Sequence, residues 1–339
     1  MAVLDACRLV DQAIRAQPAY AHTSHFRLEV DGQAVFDRHY RGPAVADTFS
    51  VTKSVVATLA GIAVAEGRLG DLDLPAGRAL PALAGTPAAG HTLRQLLTMT
   101  RGAETEGPFE IDEVMALPRG WLERIAAAPQ LDPPGTRFRY DNGGAHLFGA
   151  ALSALVGMPL SAYAATRLFG PLGIGEWRWP RDPDGYDYGH GHLRLAAADL
   201  ARLGRLWLDG GRWEGRQLLD AGFAAAMGTA HNGGGPPEDH LYGYLLWVAP
   251  DRVFAAGWAG QLVAAVPAAR AVVVVTGDPR FDPGPLPIDR GTTPAVPRTP
   301  PIDRGTTPAV PRTPPSDHLQ PGWRPAGELV AEHLLPALR

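Results

Sequence analysis

Apolar and polar positions alternate over residues 24–30 and again over 33–40, with Asp31-Gly32 between them. Alternation predicts two half-buried strands, and Asp-Gly supplies the positive backbone angles that a tight hairpin needs. Residues 1–15 set Asp5, Arg8, Asp11 and Arg15 among apolar positions and read as a helix. Residue 50 opens a more continuously apolar helix that runs to about 66 and stops at Gly67. From there to about 188 the pattern is of helices and loops, with helices over 93–99 and 145–155. Pro133-Pro134-Gly135 and residues 180–185 mark loops. An amphipathic helix over 193–208 ends at Gly210-Gly211, after which strand patterns return over 242–248, 252–257, 261–266 and 271–276. Residues 329–338 read as a closing helix.

The order strands, helices, strands, helix predicts an α+β fold and not a βαβ alternation. Its sheet domain is discontinuous, 1–66 with 190–339, and residues 67–189 form an inserted, mostly helical subdomain. One stretch stands apart: residues 287–300 repeat without change as 301–314. Two copies of a proline- and threonine-rich unit are too short for a solenoid, so they read as an extended surface segment within 279–322.

Composition narrows the function. Hydrophobic content of 45% and charge of 19% suit a globular core, and a scattered net charge of −4 gives no footprint for nucleic acid. No apolar run approaches a membrane span, and the charged first fifteen residues lack the apolar core of a secretory signal, so a cytoplasmic protein is expected. Cys7 is the single cysteine, which excludes an internal disulfide.

The basic residues carry the strongest signal. Of 31 lysines and arginines only Lys53 is a lysine, and it lies three residues after Ser50 in Phe49-Ser50-Val51-Thr52-Lys53-Ser54. A randomly placed lysine would have serine at that spacing roughly 2% of the time. Arginine stays protonated, so only Lys53 can serve as an amine base. One helical turn apart, both residues face the same way, and the helix start can stabilise negative charge on the serine oxygen. Burial would lower the amine pKa as a base requires.

Two weaker elements follow. Tyr140-Asp141-Asn142 offers a phenol to move protons and an amide to orient a carbonyl. Gly257-Trp258-Ala259-Gly260-Gln261, at the start of a strand, lets backbone N–H groups approach a bound carbonyl. Among other candidates, Gly189-His190-Gly191-His192 is a weak metal pattern and a better pocket lining or loop. His146 and Asp199 read as structural, Ser161 as a helix cap, and Trp177, Trp179 and Trp247 as core or pocket wall.

As a set, Ser50-x-x-Lys53, Tyr140-x-Asn142 and Trp258-x-Gly260 resemble the penicillin-recognising serine hydrolases. These comprise class C β-lactamases, D-alanyl-D-alanine carboxypeptidases and family VIII carboxylesterases. Residues 92–100, 133–136, 171–174, 210–213 and 242–244 are similar too, and the resemblance covers about residues 5–278 and the final helix. It implies a β-lactamase/penicillin-binding-protein-like fold, an antiparallel sheet flanked by helices. It implies Ser50 as acylated nucleophile, Lys53 as its base and Tyr140 as proton shuttle. The N–H groups of Ser50 and Gln261 would form the oxyanion hole, with Asn142, Trp258 and Gly260 at the substrate. No metal and no cofactor are implied.

The chain departs from that pattern where Trp258-Ala259-Gly260 replaces Lys-Thr-Gly, since a neutral indole cannot bind a carboxylate as lysine does. The expectation is therefore hydrolysis of a small ester or amide through a Ser–Lys–Tyr acyl-enzyme. Alternatives are acyl transfer from the same intermediate in secondary metabolism, a β-lactamase or carboxypeptidase, and a non-catalytic ligand-binding protein. A hairpin around Ala268 would set Trp258 opposite Asp278, put the repeat at the site's mouth as a lid or pocket wall, and let Arg280 replace the missing cation.

Overall fold

The computed structural model describes residues 2–281 and 322–338, so the 14-residue repeat lies outside the described residues. Helix α1 (Val3–Ala16) leads into the hairpin β1 (Thr23–Val30) and β2 (Gln33–His39), with Asp31 and Gly32 both at positive φ. A short strand β3 (Val45–Asp47) precedes α2 (Val51–Ala65). The chain then crosses a run of short helices and the longer helix Asn142–Val156. It returns through β4 (Arg194–Ala196), the helix Ala197–Leu208 and the small hairpin β5 (Arg212–Trp213) and β6 (Arg216–Gln217). The strands β7 (Asn232–Gly235), β8 (His240–Tyr242), β9 (Trp247–Ala249), β10 (Arg252–Gly257), β11 (Gln261–Val266) and β12 (Ala271–Gly277) follow.

One antiparallel sheet has the order β2-β1-β12-β11-β10-β9-β8-β7. The fold is α+β, as expected. All seven residues of β12 are buried, which for an alternating strand means that both sheet faces are covered. Gly204 brings the Ala197–Leu208 helix onto Val263 and Val272, while Gly327 of the closing segment lies against Leu262 on the other face. Each fully buried valine or leucine contributes roughly 1.5–3 kcal/mol. In α2, every residue from Val51 to Ala63 is buried, because the helix is wedged between the sheet and the Asn142–Val156 helix. Most of its surface is accordingly apolar, and its buried polar side chains are bonded, Ser54 to Leu245 O at 2.6 Å and Thr58 to Ser54 O at 2.7 Å.

Several elements differ from the expectation. The helix read over 193–208 begins at Ala197, because residues 194–196 pair with β3 instead. The strand read over 242–248 is broken after Tyr242: a Cβ on Gly243 would lie 2.2 Å from Met227 O and 3.0 Å from Thr229 O, and the Gly243 N–H donates to Leu246 O at 2.8 Å. Only glycine fits there, and the break divides β8 from β9. Residues 258–260 are not strand but a tight turn joining β10 to β11, with Ala259 at φ 61°. Gly257 and Gln261 are partners across that turn, so Trp258 does not lie opposite Asp278 in the sheet. Ser161 does not cap its helix, which Pro159 precedes; its N–H donates to Asp187 and its hydroxyl accepts from Arg181. The closing helix is α only over Gly327–Leu329, then passes into π and 3-10 turns.

Candidate active site

Ser50 stands at the head of α2, immediately after Phe49, whose backbone takes a left-handed φ of 46°. The Lys53 amine donates to Ser50 Oγ at 2.7 Å and to the His190 carbonyl at 2.6 Å. Lys53 is 1% exposed, and its burial lowers the amine pKa to about 7, against a smaller upward pull from Asp141. The amine is therefore a base that can be neutral near physiological pH.

The Ser50 side chain also acts on the Tyr140 phenol and favours loss of its proton. Lys53 Nζ sits 5.1 Å from the Tyr140 ring centroid, and Trp247 stacks on that ring at 6.0 Å. Burial holds the phenol pKa well above its ordinary value, more than the Ser50 side chain lowers it. Of the coupled pair, Lys53 is thus the group that titrates near neutrality and Tyr140 the one that keeps its proton.

The loop carrying Tyr140 is fixed by its neighbour. Asp141 accepts from the Gly144 N–H at 2.7 Å, capping the Asn142–Val156 helix, and forms a buried ion pair with Arg101. The helix therefore starts three residues before the sequence pattern suggested, with Asn142 as its first residue. Asn142 is half-buried there.

Glycine makes the third side. A Cβ on Gly257 would lie 2.7 Å from Thr48 O, 3.1 Å from Ser50 N and 3.2 Å from the Gln261 Cβ. The turn carrying Ser50 and the β10–β11 turn thus meet at a point that admits no side chain. Gln261 is buried, and its side-chain amide donates to Gly277 O at 2.8 Å, locking β11 to β12. Trp258 meets Phe49 edge to face at 5.2 Å, and Gly260 has φ 79° beside Pro325 and His22. Arg280 is 60% exposed and 3.9 Å from Asp278, so its charge is directed there.

The Gly189–His192 segment contributes a backbone atom to the site. His190 is buried with neither ring nitrogen hydrogen-bonded, stacks on Tyr188 at 5.1 Å, and lies between His146 and His192. Burial first, then those histidines and Lys53, hold its imidazole neutral. His146 pairs with Asp182 at 3.0 Å and His192 with Asp47 at 2.8 Å. Asp199 pairs with Arg202 within its own helix. Cys7 is buried and its thiol is pushed up to about 11, far from a thiolate nucleophile.

Sequence reasoning missed the His190 carbonyl, Gly257 as the contact to Ser50, and the Arg101–Asp141 pair. Gly257 carried a signal, being a glycine next to the Trp-x-Gly run. The other two depend on residues 137 and 40 positions from their partners, which no local spacing reveals.

Comparison with known proteins places the fold. The family model described as Beta-lactamase matches residues 21–282. The 6-aminohexanoate-dimer hydrolase of Paenarthrobacter ureafaciens is 25% identical in an alignment that covers 59% of this chain. The match spans 56% of that relative's length. Among solved structures, a penicillin-binding protein homologue from Caulobacter crescentus superposes with a TM-score of 0.66 at 17% identity, covering 81% of this chain and 91% of that one. A family VIII carboxylesterase gives 0.65 at 17% identity, with the same coverage of 81% and 91%. SurE gives 0.66 at 24% identity over 81% of this chain and 72% of its own. These three likenesses are of fold.

Proposed function

Since the chain belongs to the beta-lactamase family, we propose that it is a serine hydrolase that cleaves a small ester or amide through an acyl-enzyme on Ser50. The observation that carries this reading is the buried Lys53 amine, 2.7 Å from Ser50 Oγ and with its pKa lowered to about 7. The neutral amine takes the serine proton as Oγ attacks the carbonyl carbon. The oxyanion that forms is received in this reading by the N–H groups of Ser50 and Gln261; Gly257 packs against the Ser50 amide and the Gln261 side chain. Each such donor is worth about 10²–10³ in rate.

Tyr140, still protonated, then gives its proton to the leaving oxygen or nitrogen as the carbonyl re-forms, and Lys53 restores the phenol. Water attacks the acyl-enzyme by the reverse route, losing a proton to the same pair and freeing Ser50 and the acid. Asn142 and Trp258 flank the substrate in this reading. Trp258 is a neutral ring where related enzymes hold a lysine, which favours a neutral ester or amide over a β-lactam carboxylate. The similarity to a 6-aminohexanoate-dimer hydrolase supports the inclusion of amides.

Hydrolysis of p-nitrophenyl butyrate by wild type and Ser50→Ala tests the reading. Turnover abolished in the variant is the expected result. Equal rates in both would overturn it.

A further inference from the structure

Two residues with left-handed backbone frame the Ser50–Lys53 dyad. Phe49, at φ 46°, turns the chain from β3 into α2, and His192, at φ 70°, leads residues 189–191 into β4. Such an angle in a residue with a large side chain persists only where its surroundings impose it. Here one carboxylate serves both turns. Asp47, the last residue of β3, accepts from the Phe49 N–H at 2.8 Å through Oδ1 and from His192 Nδ1 at 2.8 Å through Oδ2. An ionised carboxylate only accepts, so Nδ1 is the ring nitrogen that carries the proton. His192 is 7% exposed, which shields this bond from competing water.

The contact closes a circuit around the dyad. Asp47 holds Phe49, the residue before Ser50, and the Phe49 ring meets His192 at 5.4 Å and Trp258 at 5.2 Å, edge to face in both cases. His192 lies two residues after His190, whose carbonyl accepts from the Lys53 amine at 2.6 Å, and that amine reaches back to Ser50 Oγ at 2.7 Å. The neighbouring seam is bonded too. Thr48 donates to Leu193 O from its N–H at 2.9 Å and from its hydroxyl at 2.7 Å, and the Leu193 N–H donates to Thr52 Oγ1 at 3.0 Å. Those bonds lay the two segments side by side. The Asp47–His192 bond adds the register of the two left-handed turns, one presenting Ser50 and the other leading from the acceptor of Lys53.

We propose that Asp47 and His192 are a positioning pair, whose bond sets the approach of Ser50 Oγ to the Lys53 amine and so the rate of acylation. This rests on the acyl-enzyme reading above. Proton transfer from Oγ to the amine needs a contact of hydrogen-bond length, and a misplacement near 1 Å costs about 100-fold in rate. The pair therefore acts on kcat and leaves KM nearly unchanged.

Steady-state hydrolysis of p-nitrophenyl butyrate, with kcat normalised to the folded fraction, tests the proposal. His192→Gly removes the imidazole and suits the φ of 70°; it should lower kcat about 10–100-fold with KM within about twofold of wild type. His192→Asn also accepts that angle and offers an amide N–H near the place of Nδ1, so it should recover most of the loss. Asp47→Ala combined with His192→Gly should be no slower than Asp47→Ala alone, because both changes break the same bond. Wild-type kcat in His192→Gly, equal losses in His192→Gly and His192→Asn, losses that multiply in the double variant, or a raised KM with kcat unchanged would each overturn the proposal. Failure of His192→Gly or Asp47→Ala to fold would overturn it as well, since the pair would then support the fold and not the dyad. Failure of wild type itself to turn over the ester would instead remove the acyl-enzyme reading.

Discussion

Replacing Lys53 with methionine should stabilise the chain near neutral pH while abolishing its chemistry. The folded protein holds this amine at about 7, and the ordinary lysine value of 10.5 applies once the chain unfolds. Between those values the unfolded state binds the additional proton, so wild-type stability must rise with pH across that window. Below pH 7 both states are protonated and the full penalty of burying the charge is present; above 10.5 it is gone. At about 1.4 kcal/mol per pH unit where the difference is complete, the gain from pH 7 to pH 9 is about 2 kcal/mol. Methionine matches lysine in volume and has no charge to bury, so Lys53→Met should lack this slope. Its loss of hydrogen bonds to Ser50 and the His190 carbonyl shifts its stability by an amount that does not vary with pH. Urea denaturation of both proteins at the two pH values isolates the effect as a difference of differences. A wild-type-minus-variant stability that is flat between pH 7 and pH 9 would refute the claim that burial depresses the Lys53 pKa.

The remaining predictions concern rate and structure. The pH profile of kcat/KM should rise with an apparent pKa near 7 as Lys53 loses its proton, and Lys53→Arg should be inactive at every pH because a guanidinium cannot become neutral. Gly257→Ala should lower kcat about 100-fold or more and also destabilise the chain by about 1–3 kcal/mol, since the new methyl would displace the Ser50 amide or the Thr48 carbonyl; rates normalised to the folded fraction check it. Arg101→Met should destabilise the chain by about 3–5 kcal/mol in urea denaturation, because it strands the buried Asp141 carboxylate that caps the helix after Tyr140.

Much of the architecture was legible in the sequence, for physical reasons that can be named. Asp31-Gly32 declared its hairpin because few residues accept positive φ in succession. Ser50 and Lys53 were visible because helical spacing puts them on one face and because an amine is chemically distinct among thirty guanidiniums. Residues whose role is set by a distant partner were not visible. The strand read through Gly243 is broken by carbonyls of Met227 and Thr229, and the helix read from 193 yields three residues to β3, some 150 positions earlier. The His190 carbonyl has no sequence signature at all, because any residue supplies a carbonyl and only the fold aims it at Lys53.

The central claim is that Ser50 becomes covalently acylated. Intact-mass spectrometry of the protein, quenched within seconds of mixing with p-nitrophenyl butyrate, addresses it directly. The account predicts a species heavier by one butyryl group in wild type, absent in Ser50→Ala, with the adduct mapping to the peptide that begins α2. An adduct that persists in Ser50→Ala, or hydrolysis that proceeds at the wild-type rate without Ser50, would contradict it.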